Sequence, residues 1–364
     1  MDKIVVSGIN LYSGGTLSIY KDFIKSLLNN KVNKKAKITL FIYKKELFKE
    51  YMGYSNLEFI ELPLARKNYL FRMWYEYIYF KRYSKDKDID LWISIHDMTP
   101  NVKAKKQYVY CHNAMIFYKC SIKDIMLSPK MYFFSKFYKY IYKINIKNNT
   151  GIVVQSQWMR EGFLNLFDVN NVIVARPYID INLSNECLIK NDKFIFLYPA
   201  YPRIFKNFEI IFKAAQLLNS KNIDYEIILT IDGNENKYTR MLKKLYGNIE
   251  NIKWIGIQNR DRVISLYEKA DCLIFPSKLE TWGLPISEFS SSGKPILLAD
   301  LSYSRETIGK YNKCSFFNPD NEKQLAELMQ KIIYNTIVYD GNIEKEKISP
   351  YAENWDELLK LLQL

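Results

Sequence analysis

The feature that most constrains the fold is a repeated alternation of short β-branched or aromatic runs with segments of helical periodicity. This alternation is typical of βαβ units, in which parallel strands are joined through helices. In the first half of the chain strands are predicted at Ile4–Ile9, Ile38–Tyr43, Leu57–Glu61, Leu91–Ile95, Tyr108–Cys111, Ile152–Gln155 and Val172–Ala175. Helices are predicted between them at Leu17–Leu28, Tyr69–Tyr83, Lys130–Ile146 and Trp158–Leu166.

The same pattern restarts after a polar stretch, Asp180–Asp192. This stretch has no apolar period, which indicates a linker between two domains. Strands follow at Phe194–Tyr198, Ile227–Ile231, Ile252–Ile255, Cys272–Phe275 and Ile296–Leu298, with helices at Phe208–Leu218, Arg262–Lys269, Pro285–Ser292 and Glu322–Ile333. With 364 residues, 48% of them apolar, the chain is long enough for two cores.

We therefore predict an α/β protein with two doubly wound, Rossmann-like domains. The first covers residues 1–178, with a C-terminal helix at about 352–364 packing back on it, and the second covers 179–351. Because ligands of open α/β sheets bind outside the carboxyl ends of the strands, the chemistry is expected in a central cleft that both domains face.

Several protein classes are excluded by what the sequence lacks. No apolar run approaches the ~18 residues that cross a bilayer, and the first residues lack the long apolar region of a signal peptide, so a cytoplasmic protein is expected. Five widely spaced cysteines and two histidines favour neither a disulfide framework nor a Cys/His zinc site.

The positive charge lies in the first half of the chain. Residues 1–180 hold 29 Lys and Arg against 15 Asp and Glu, whereas residues 181–364 hold 24 of each. Lysines at helical spacing, interleaved with aromatic residues, suit the headgroup boundary of an anionic membrane: Lys136, Lys139, Lys143 and Lys147. A second basic stretch, Arg66–Lys87, also carries aromatic residues. Solvated surface lysines and stacking on nucleic acid are the alternatives.

The segment Leu273–Glu288 combines a strand, a loop and a helix start that could hold a phosphate. Pro285 fits the first helical position, and free N–H groups from Trp282 to Ile286 would form an anion site at the helix N-terminus. Glu280 and Glu288 could accept hydrogen bonds from hydroxyl groups beside that anion. A nucleotide sugar offers all of these groups, namely a diphosphate, ribose hydroxyls and sugar hydroxyls. The alternative interpretation is that Glu280 and Glu288 are ordinary helix-surface glutamates with no ligand.

Other strand ends carry further candidates. Gly14-Gly15 forms a turn that could bring backbone close to a ligand, and Arg203 with Lys206 could neutralise a departing diphosphate. His96 beside Asp97 invites a general-base role or a structural one. Further strand-end candidates are His112, Gln155 and Ser156. The Asp-x-Asp patterns within Asp86–Asp90 precede a strand and indicate a solvated loop, so no metal site is predicted.

Glu280 and Glu288 in "ETWGLPISE" match the Glu-x7-Glu signature of the large retaining glycosyltransferase family with the GT-B fold. The chain resembles the bacterial O-antigen and lipopolysaccharide glycosyltransferases of that family nearly end to end, through "GINLYSGGT", "WISIHDMTPN", "YVYCHNAMIFYK", "VVQSQWM", "YPAYPRIFKNFE" and "FPSKLETWGLPISE". One departure is Tyr201, which stands near the place of the family's usual arginine. Lys206 is therefore the closer match and Arg203 a shifted substitute.

The resemblance implies that Glu288 binds the nucleotide ribose, Glu280 the donor sugar, and His112 lies beside donor sugar and acceptor. It also implies that the glycine turn faces the donor, and that sugar and diphosphate meet the backbone of Thr281, Trp282, Gly283 and Leu284.

The function predicted from these features is transfer of a hexose, with retention, from a nucleotide sugar to a polyprenyl-diphosphate-linked oligosaccharide. UDP is the favoured nucleotide. The expected setting is O-antigen, lipopolysaccharide or capsule synthesis, with the protein peripheral on the inner face of the cytoplasmic membrane. No cofactor or metal and no nucleic-acid partner is expected. The alternatives are a GT-B epimerase or phosphorylase, or a non-catalytic basic protein that binds nucleic acid or anionic lipid.

Overall fold

The computed structural model describes residues 3–30, 36–177, 192–221 and 223–363. These residues form two compact units, one within Met1–Phe117, Phe134–Tyr178 and Lys347–Leu364, the other within Tyr118–Phe133 and Ile179–Glu346. The predicted linker lies outside the described residues up to position 191, and the predicted boundary at 178 and 179 falls there too. The domain limits therefore stay a prediction.

The strands of both units are short and apolar. They are β1 (Lys3–Ser7), β2 (Lys37–Ile42), β3 (Leu57–Glu61), β4 (Ile89–Ser94), β5 (Ala104–Cys111), β6 (Gly151–Val154), β7 (Val172–Ala175), β8 (Phe194–Tyr198), β9 (Tyr225–Leu229), β10 (Ile252–Trp254), β11 (Cys272–Phe275), β12 (Ile296–Ala299), β13 (Cys314–Phe317) and β14 (Tyr351–Ala352). All the strands predicted from the sequence are confirmed, with small shifts at their ends.

The helices alternate with the strands. They are α1 (Gly14–Asn29), α2 (Tyr69–Trp74), α3 (Phe80–Ser84), α4 (Ile122–Leu127), α5 (Pro129–Lys143), α6 (Gln157–Leu166), α7 (Phe208–Asn219), α8 (Lys237–Tyr246), α9 (Arg260–Lys269), α10 (Leu284–Ser290), α11 (Ser302–Ile308), α12 (Glu322–Ile333) and α13 (Trp355–Leu361). Two predictions were wrong in detail. The helix expected at Tyr69–Tyr83 is α2 and α3 joined by a π-helical turn, Tyr75–Tyr79, and α5 ends three residues before the expected Ile146.

The first unit is built on an eight-stranded parallel sheet in the order β14-β7-β6-β5-β4-β1-β2-β3. Its inner strands β1, β2, β4, β6 and β7 are buried on both faces, as continuous apolar runs require, whereas the edge strand β3 is partly exposed. Along β1, Ile4 and Val6 join the core cluster under α1, whereas Val5 joins the opposite cluster around Trp92. The C-terminal helix α13 packs in the first of these clusters, with the Trp355 ring 5.4 Å from that of Phe23.

The second unit is built on a six-stranded parallel sheet in the order β10-β9-β8-β11-β12-β13. Strands β8 and β11 lie next to each other in the middle of it. The loops that follow these two strands, 199–207 and 276–283, therefore emerge side by side at the carboxyl edge of the sheet. These are the loops that carry most of the predicted donor-site residues.

Candidate active site

The loop after β11 is held in one conformation by its neighbours. Gly283 has a φ of +93°, in the left-handed region that favours glycine, and a Cβ there would lie 3.1 Å from the Ile286 side chain. The Tyr303 hydroxyl donates a 2.6 Å hydrogen bond to the Ser277 carbonyl, and the Thr307 hydroxyl donates to the Trp282 carbonyl. Thr281–Leu284 is therefore a preorganised segment.

The helix α10 starts at Leu284 directly after Gly283, close to the predicted start. The N–H of Ile286 donates a 2.9 Å hydrogen bond to the Gly283 carbonyl. It is therefore not free, and the predicted anion site loses one of its expected donors. Trp282 is 3% exposed as a whole residue and its Nε1 donates to the Ser287 hydroxyl at 3.3 Å, so its side chain is not available to a ligand.

The structure brings Lys206 and Glu280 together as an ion pair between the two neighbouring loops. The two side chains are 15% and 13% exposed, and the Lys206 ammonium also lies 5.7 Å and 5.8 Å from the ring centres of Phe205 and Phe275. Aromatic rings and low exposure reduce the screening of these charges by water. A ligand that carries an anion next to hydroxyl groups could bind both side chains, with its anion on the Lys206 ammonium and its hydroxyl groups on the Glu280 carboxylate.

Backbone hydrogen bonds fix the distance between these loops. The Lys278 N–H donates to the Phe205 carbonyl at 2.7 Å, and the Asn207 amide donates to the Pro276 carbonyl at 3.3 Å. The buried Tyr198 hydroxyl donates to the Lys206 carbonyl at 2.8 Å. The ammonium of Lys206 is therefore presented by a braced turn, which suits a preorganised electrostatic role.

Arg203 is exposed, and its side chain contacts a residue outside the Lys206–Glu280 pair. Its guanidinium stacks 5.3 Å from the ring centre of Tyr201, the residue that stands near the place of the family's usual arginine. Arg203 thus shares the loop with Lys206 but has a different immediate environment.

Glu288 is anchored by two residues that the sequence analysis did not single out. The Tyr267 hydroxyl donates a 2.7 Å hydrogen bond to Glu288 Oε2, and Arg260 Nη1 lies 3.3 Å from Oε1. Tyr267 is fully buried, and burial together with the neighbouring Glu288 raises its pKa well above the ordinary value. Both partners lie on α9, far from Glu288 in sequence, so no local spacing could have revealed them.

In the first unit, a polar network links the candidates that follow β4 and β5. The His112 N–H donates to Asp97 Oδ1 at 2.6 Å, and the His112 ring bonds through Nε2 to the Ile95 carbonyl at 3.1 Å. Gln155 Nε2 lies 3.2 Å from His112 Nδ1, so both ring nitrogens are occupied. Burial lowers the pKa of His112, which keeps its ring neutral. Asp97 sits at φ +73°, an uncommon conformation for a residue other than glycine.

His96 is completely buried, and its ring meets three side chains. Nε2 lies 3.0 Å from the Ser7 hydroxyl and 3.3 Å from Glu76 Oε1, and Nδ1 lies 3.2 Å from Arg72 Nη2. Burial and the Arg72 charge lower the pKa of His96 well below its usual value, and burial raises that of Glu76 to about 8. Sequence reasoning missed Arg72 and Glu76, which lie on α2 and the π-helical turn. Neither His96 nitrogen is exposed in this arrangement.

The remaining candidates of the first unit differ in exposure. Gly14 and Gly15 were predicted as a turn, but they are the first two residues of α1. Gly14 has a φ of +65°, and no atom lies within 4 Å of the position of a Cβ there, so this helix start is open. Gln155 and Ser156 are buried, at 3% and 1% exposure, and the Ser156 hydroxyl has no hydrogen-bond partner among the described residues. The Ser156 hydroxyl is therefore a hydrogen-bond donor without an acceptor, at a position that solvent does not reach.

The lysines predicted for membrane contact divide into two groups. Lys136 and Lys143 are exposed on α5, and Lys139 lies 5.2 Å from the ring centre of Tyr140. Lys147 follows the helix in a separate short turn, where it pairs with Asp168. Exposed aromatic residues share the helix: Phe133, Phe137 and Tyr140 at 58%, 55% and 57%.

The described residues contain neither a clustered metal-ligand group nor a membrane-spanning helix. In the part of the chain that the structure describes, His, Cys, Asp and Glu side chains form no group of three or more that could hold a metal ion. Over the same residues, no helix combines the length and the apolar character that crossing a bilayer requires.

Residues 181–355 match the model of the family described as "Glycosyl transferases group 1". The O-antigen chain mannosyltransferase RfbU of Salmonella typhimurium is 20% identical over 207 residues, which are 56% of this chain and 57% of that protein. An uncharacterized glycosyltransferase of Methanocaldococcus jannaschii is 19% identical over 50% of this chain and 46% of its own length. The chain thus spans about half the length of these curated relatives. These matches agree with the predicted class, a glycosyltransferase.

Solved structures resemble the chain over most of its length. The apo form of the lipopolysaccharide outer core galactosyltransferase WaaB matches with a TM-score of 0.64 at 14% identity, covering 93% of this chain and 92% of that one. HepE of Anabaena in complex with UDP-glucose matches with a TM-score of 0.63 at 17% identity, covering 92% and 90%. At these identities the likeness shows the fold, and the predicted GT-B class with two Rossmann-like domains is confirmed.

Proposed function

We propose that this chain, which carries a group 1 glycosyltransferase domain on a GT-B fold, transfers a hexose with retention from a nucleotide sugar to a lipid-linked oligosaccharide. The donor site is assigned to the second unit, and UDP is the favoured nucleotide. The observation that carries the proposal is the Lys206–Glu280 pair together with the anchored Glu288, all within the matched domain.

The pair can accept both parts of a sugar diphosphate. When a diphosphate approaches, its negative charge competes with Glu280 for the Lys206 ammonium, because both are anions. The released Glu280 carboxylate then accepts hydrogen bonds from the hydroxyl groups of the donor sugar. As the bond between the sugar and the diphosphate breaks, Lys206 stabilises the charge on the leaving group, with Arg203 as a second cation on the same loop.

Glu288 suits a different task. Its two oxygens are oriented by Tyr267 and Arg260, so the carboxylate presents its remaining lone pairs in a fixed direction. A ribose with two neighbouring hydroxyl groups can donate to such a carboxylate. These contacts are similar in the ground state and the transition state, so Glu288 should contribute to donor affinity more than to turnover.

The donor and acceptor classes are supported by related proteins. The structure of HepE contains UDP-glucose, and the names of RfbU and WaaB describe sugar transfer in O-antigen and lipopolysaccharide assembly. A chain of the same fold with a family-matched second unit fits a nucleotide-sugar donor and a glycan acceptor. The lipid-linked form of that acceptor is our extension, since it also accounts for the exposed aromatic and basic surface of α5.

We further propose that α5 docks on an anionic membrane, with Lys136, Lys139 and Lys143 attracting lipid headgroups and Phe133, Phe137 and Tyr140 entering the boundary region. Each lysine near such a surface contributes ~1 kcal/mol, so reversing the three lysines to Glu should weaken binding to phosphatidylserine-containing vesicles by several orders of magnitude. A matched control reverses three exposed lysines of the second unit, Lys244, Lys310 and Lys323. Equal loss in both triple variants would contradict a specific docking surface.

Release of nucleoside diphosphate from a panel of nucleotide sugars tests the enzymatic proposal. Turnover with at least one donor, raised by a lipid-linked glycan acceptor, supports a transferase. A non-catalytic binding protein would release none, and an epimerase or phosphorylase would act without the lipid acceptor. The sugar linkage of the product, determined by NMR, would then show retention or inversion.

A further inference from the structure

Three residues from adjacent strand ends form an exposed aromatic and cationic cluster in the first unit. Tyr12 follows β1, Tyr43 follows β2, and Arg66 ends a short turn after β3. The Arg66 guanidinium lies 3.2 Å from the ring centre of Tyr12 and 4.8 Å from that of Tyr43. Because β1, β2 and β3 are parallel neighbours, the cluster lies at the carboxyl edge of the sheet, where α/β folds bind ligands.

The N–H donors of Arg66 and the ring of Tyr12 are available to a ligand. A guanidinium stacks through its flat face, while its N–H donors lie in the plane and point outward. Arg66 is exposed, its contacts with other described side chains are the rings of Tyr12 and Tyr43, and Tyr12 is 44% exposed. The stack therefore holds the guanidinium in one orientation without using its donors, so binding an anion would lose little side-chain entropy.

The surroundings of the cluster are also positive. Lys44 Nζ lies 5.8 Å from the Tyr43 ring centre. The sixteen-residue helix α1 begins two residues after Tyr12 and has no acidic residue in its first turn, and none of its N–H groups donates to the side chain of the N-cap residue Ser13. The positive end of α1 therefore adds to the attraction of an anion.

We propose that Tyr12, Tyr43 and Arg66 form a binding subsite for an anionic saccharide, in which a phosphate or carboxylate lies next to a sugar ring. The exposed tyrosine ring offers an apolar face for the C–H groups of the sugar, and the guanidinium offers two parallel donors for the anion. In the proposed function this subsite lies on the acceptor side, so this role rests on that function. The binding itself does not depend on it and can be measured alone.

The test is saturation-transfer difference NMR on the full chain with glucose 1-phosphate, glucuronic acid and glucose as probes. We expect both anionic sugars to bind more tightly than glucose. Arg66→Met should weaken their binding about tenfold, the scale of one charge-assisted contact, and Arg66→Lys should restore it only in part because the planar stack is lost. Tyr12→Leu should weaken all three probes. Binding of only one anionic sugar would identify the anion as phosphate or carboxylate.

Control variants separate this subsite from general charge and from the donor site. Arg82→Met removes an exposed arginine of the same unit, and Lys206→Ala removes the cation of the donor site. Arg82→Met should leave anionic-sugar binding unchanged. Lys206→Ala removes the binding of glucose 1-phosphate to the donor site, and the tenfold effect of Arg66→Met should persist in that background. The proposal is overturned if the anionic sugars bind no better than glucose, or if Arg66→Met and Arg82→Met have the same effect. If the anionic sugars do not bind but nucleoside diphosphate is released, the subsite is refuted and the transferase proposal is not. If the anionic sugars bind but no nucleoside diphosphate is released, the transferase proposal is refuted and the subsite is not.

Discussion

The Lys206–Glu280 pair allows the donor site to be tested through stability and turnover at once. With side chains 15% and 13% exposed, removing one partner leaves a poorly solvated charge. Breaking a fully buried pair costs 3–5 kcal/mol, so for this partly exposed pair we expect each single substitution to lower the free energy of unfolding by about 1–3 kcal/mol. Glu280→Gln and Lys206→Met are the single variants, since both nearly preserve side-chain volume.

The double variant distinguishes the two roles. Since it removes both charges, it should recover most of the lost stability. The coupling energy in a double-mutant cycle measured by urea unfolding should then approach the sum of the two single losses, about 2–6 kcal/mol. Turnover should behave differently. Glu280→Gln should lower kcat by roughly 10²-fold, the scale of losing a preorganised group, and the double variant should recover none of it.

An exposed pair of the same unit provides the control. Lys193 and Asp224 lie 2.8 Å apart with side chains 53% and 67% exposed, so their cycle should show no coupling beyond experimental error. If the Lys206–Glu280 cycle gives the same result, the pair is ordinary solvated surface. If the double variant regains turnover along with stability, the loss in the single variants is structural, and the donor-site reasoning is refuted.

Three further predictions concern other groups. Glu288→Gln should raise the donor KM with little change in kcat, and Tyr267→Phe should do the same to a smaller extent; steady-state kinetics on the donor decides, and a fall in kcat alone would contradict the ribose role. Activity should persist in excess EDTA and be lost in Lys206→Ala, whereas a strict requirement for Mg²⁺ or Mn²⁺ would overturn metal independence. Because the pKa of Glu76 rises from 4.5 to about 8, the folded chain keeps a proton that the unfolded chain loses, so stability falls as pH rises through this window by at most about 1.4 kcal/mol per pH unit. The lowered histidine pKa values act in the opposite sense up to about pH 7.5, because the unfolded imidazoles still carry protons there. The Glu76 contribution is therefore the difference between wild type and Glu76→Gln in urea unfolding between pH 6.5 and 8, and the variant should lack the fall in stability.

The fold could be predicted because its strands are buried on both faces. Runs such as Ile4-Val5-Val6 and Leu273-Ile274-Phe275 are continuous and apolar, and this pattern is typical of parallel sheets flanked by helices. The sequence analysis missed several elements, among them α4, α8, α11, β13 and β14. Strand β14 has only two residues, and α4 and α11 have six and seven, so their patterns are short. Helix α8 is amphipathic and β13 is apolar and fully buried, so both had a pattern that the sequence analysis overlooked.

The site was predictable only where function depends on local spacing. Glu280 and Glu288 share one segment, and Lys206 follows a strand end, so motif and topology indicated them. The anchors of Glu288 and the buried partners of His96 come from other elements. Only the folded structure shows the contacts of these residues, which are Tyr267 and Arg260 for Glu288 and Arg72 and Glu76 for His96.

Equilibrium titration of the full chain with UDP, GDP and ADP tests the central claim most directly, namely that the second unit holds a nucleotide through Lys206 and Glu288. We predict saturable binding of one nucleoside diphosphate, with UDP favoured, weakened about tenfold or more by Lys206→Ala and by Glu288→Gln. Lys193→Ala, an exposed lysine of the same unit, should leave the affinity unchanged. The absence of saturable binding for all three nucleotides, or equal affinity in wild type and both site variants, would contradict the account.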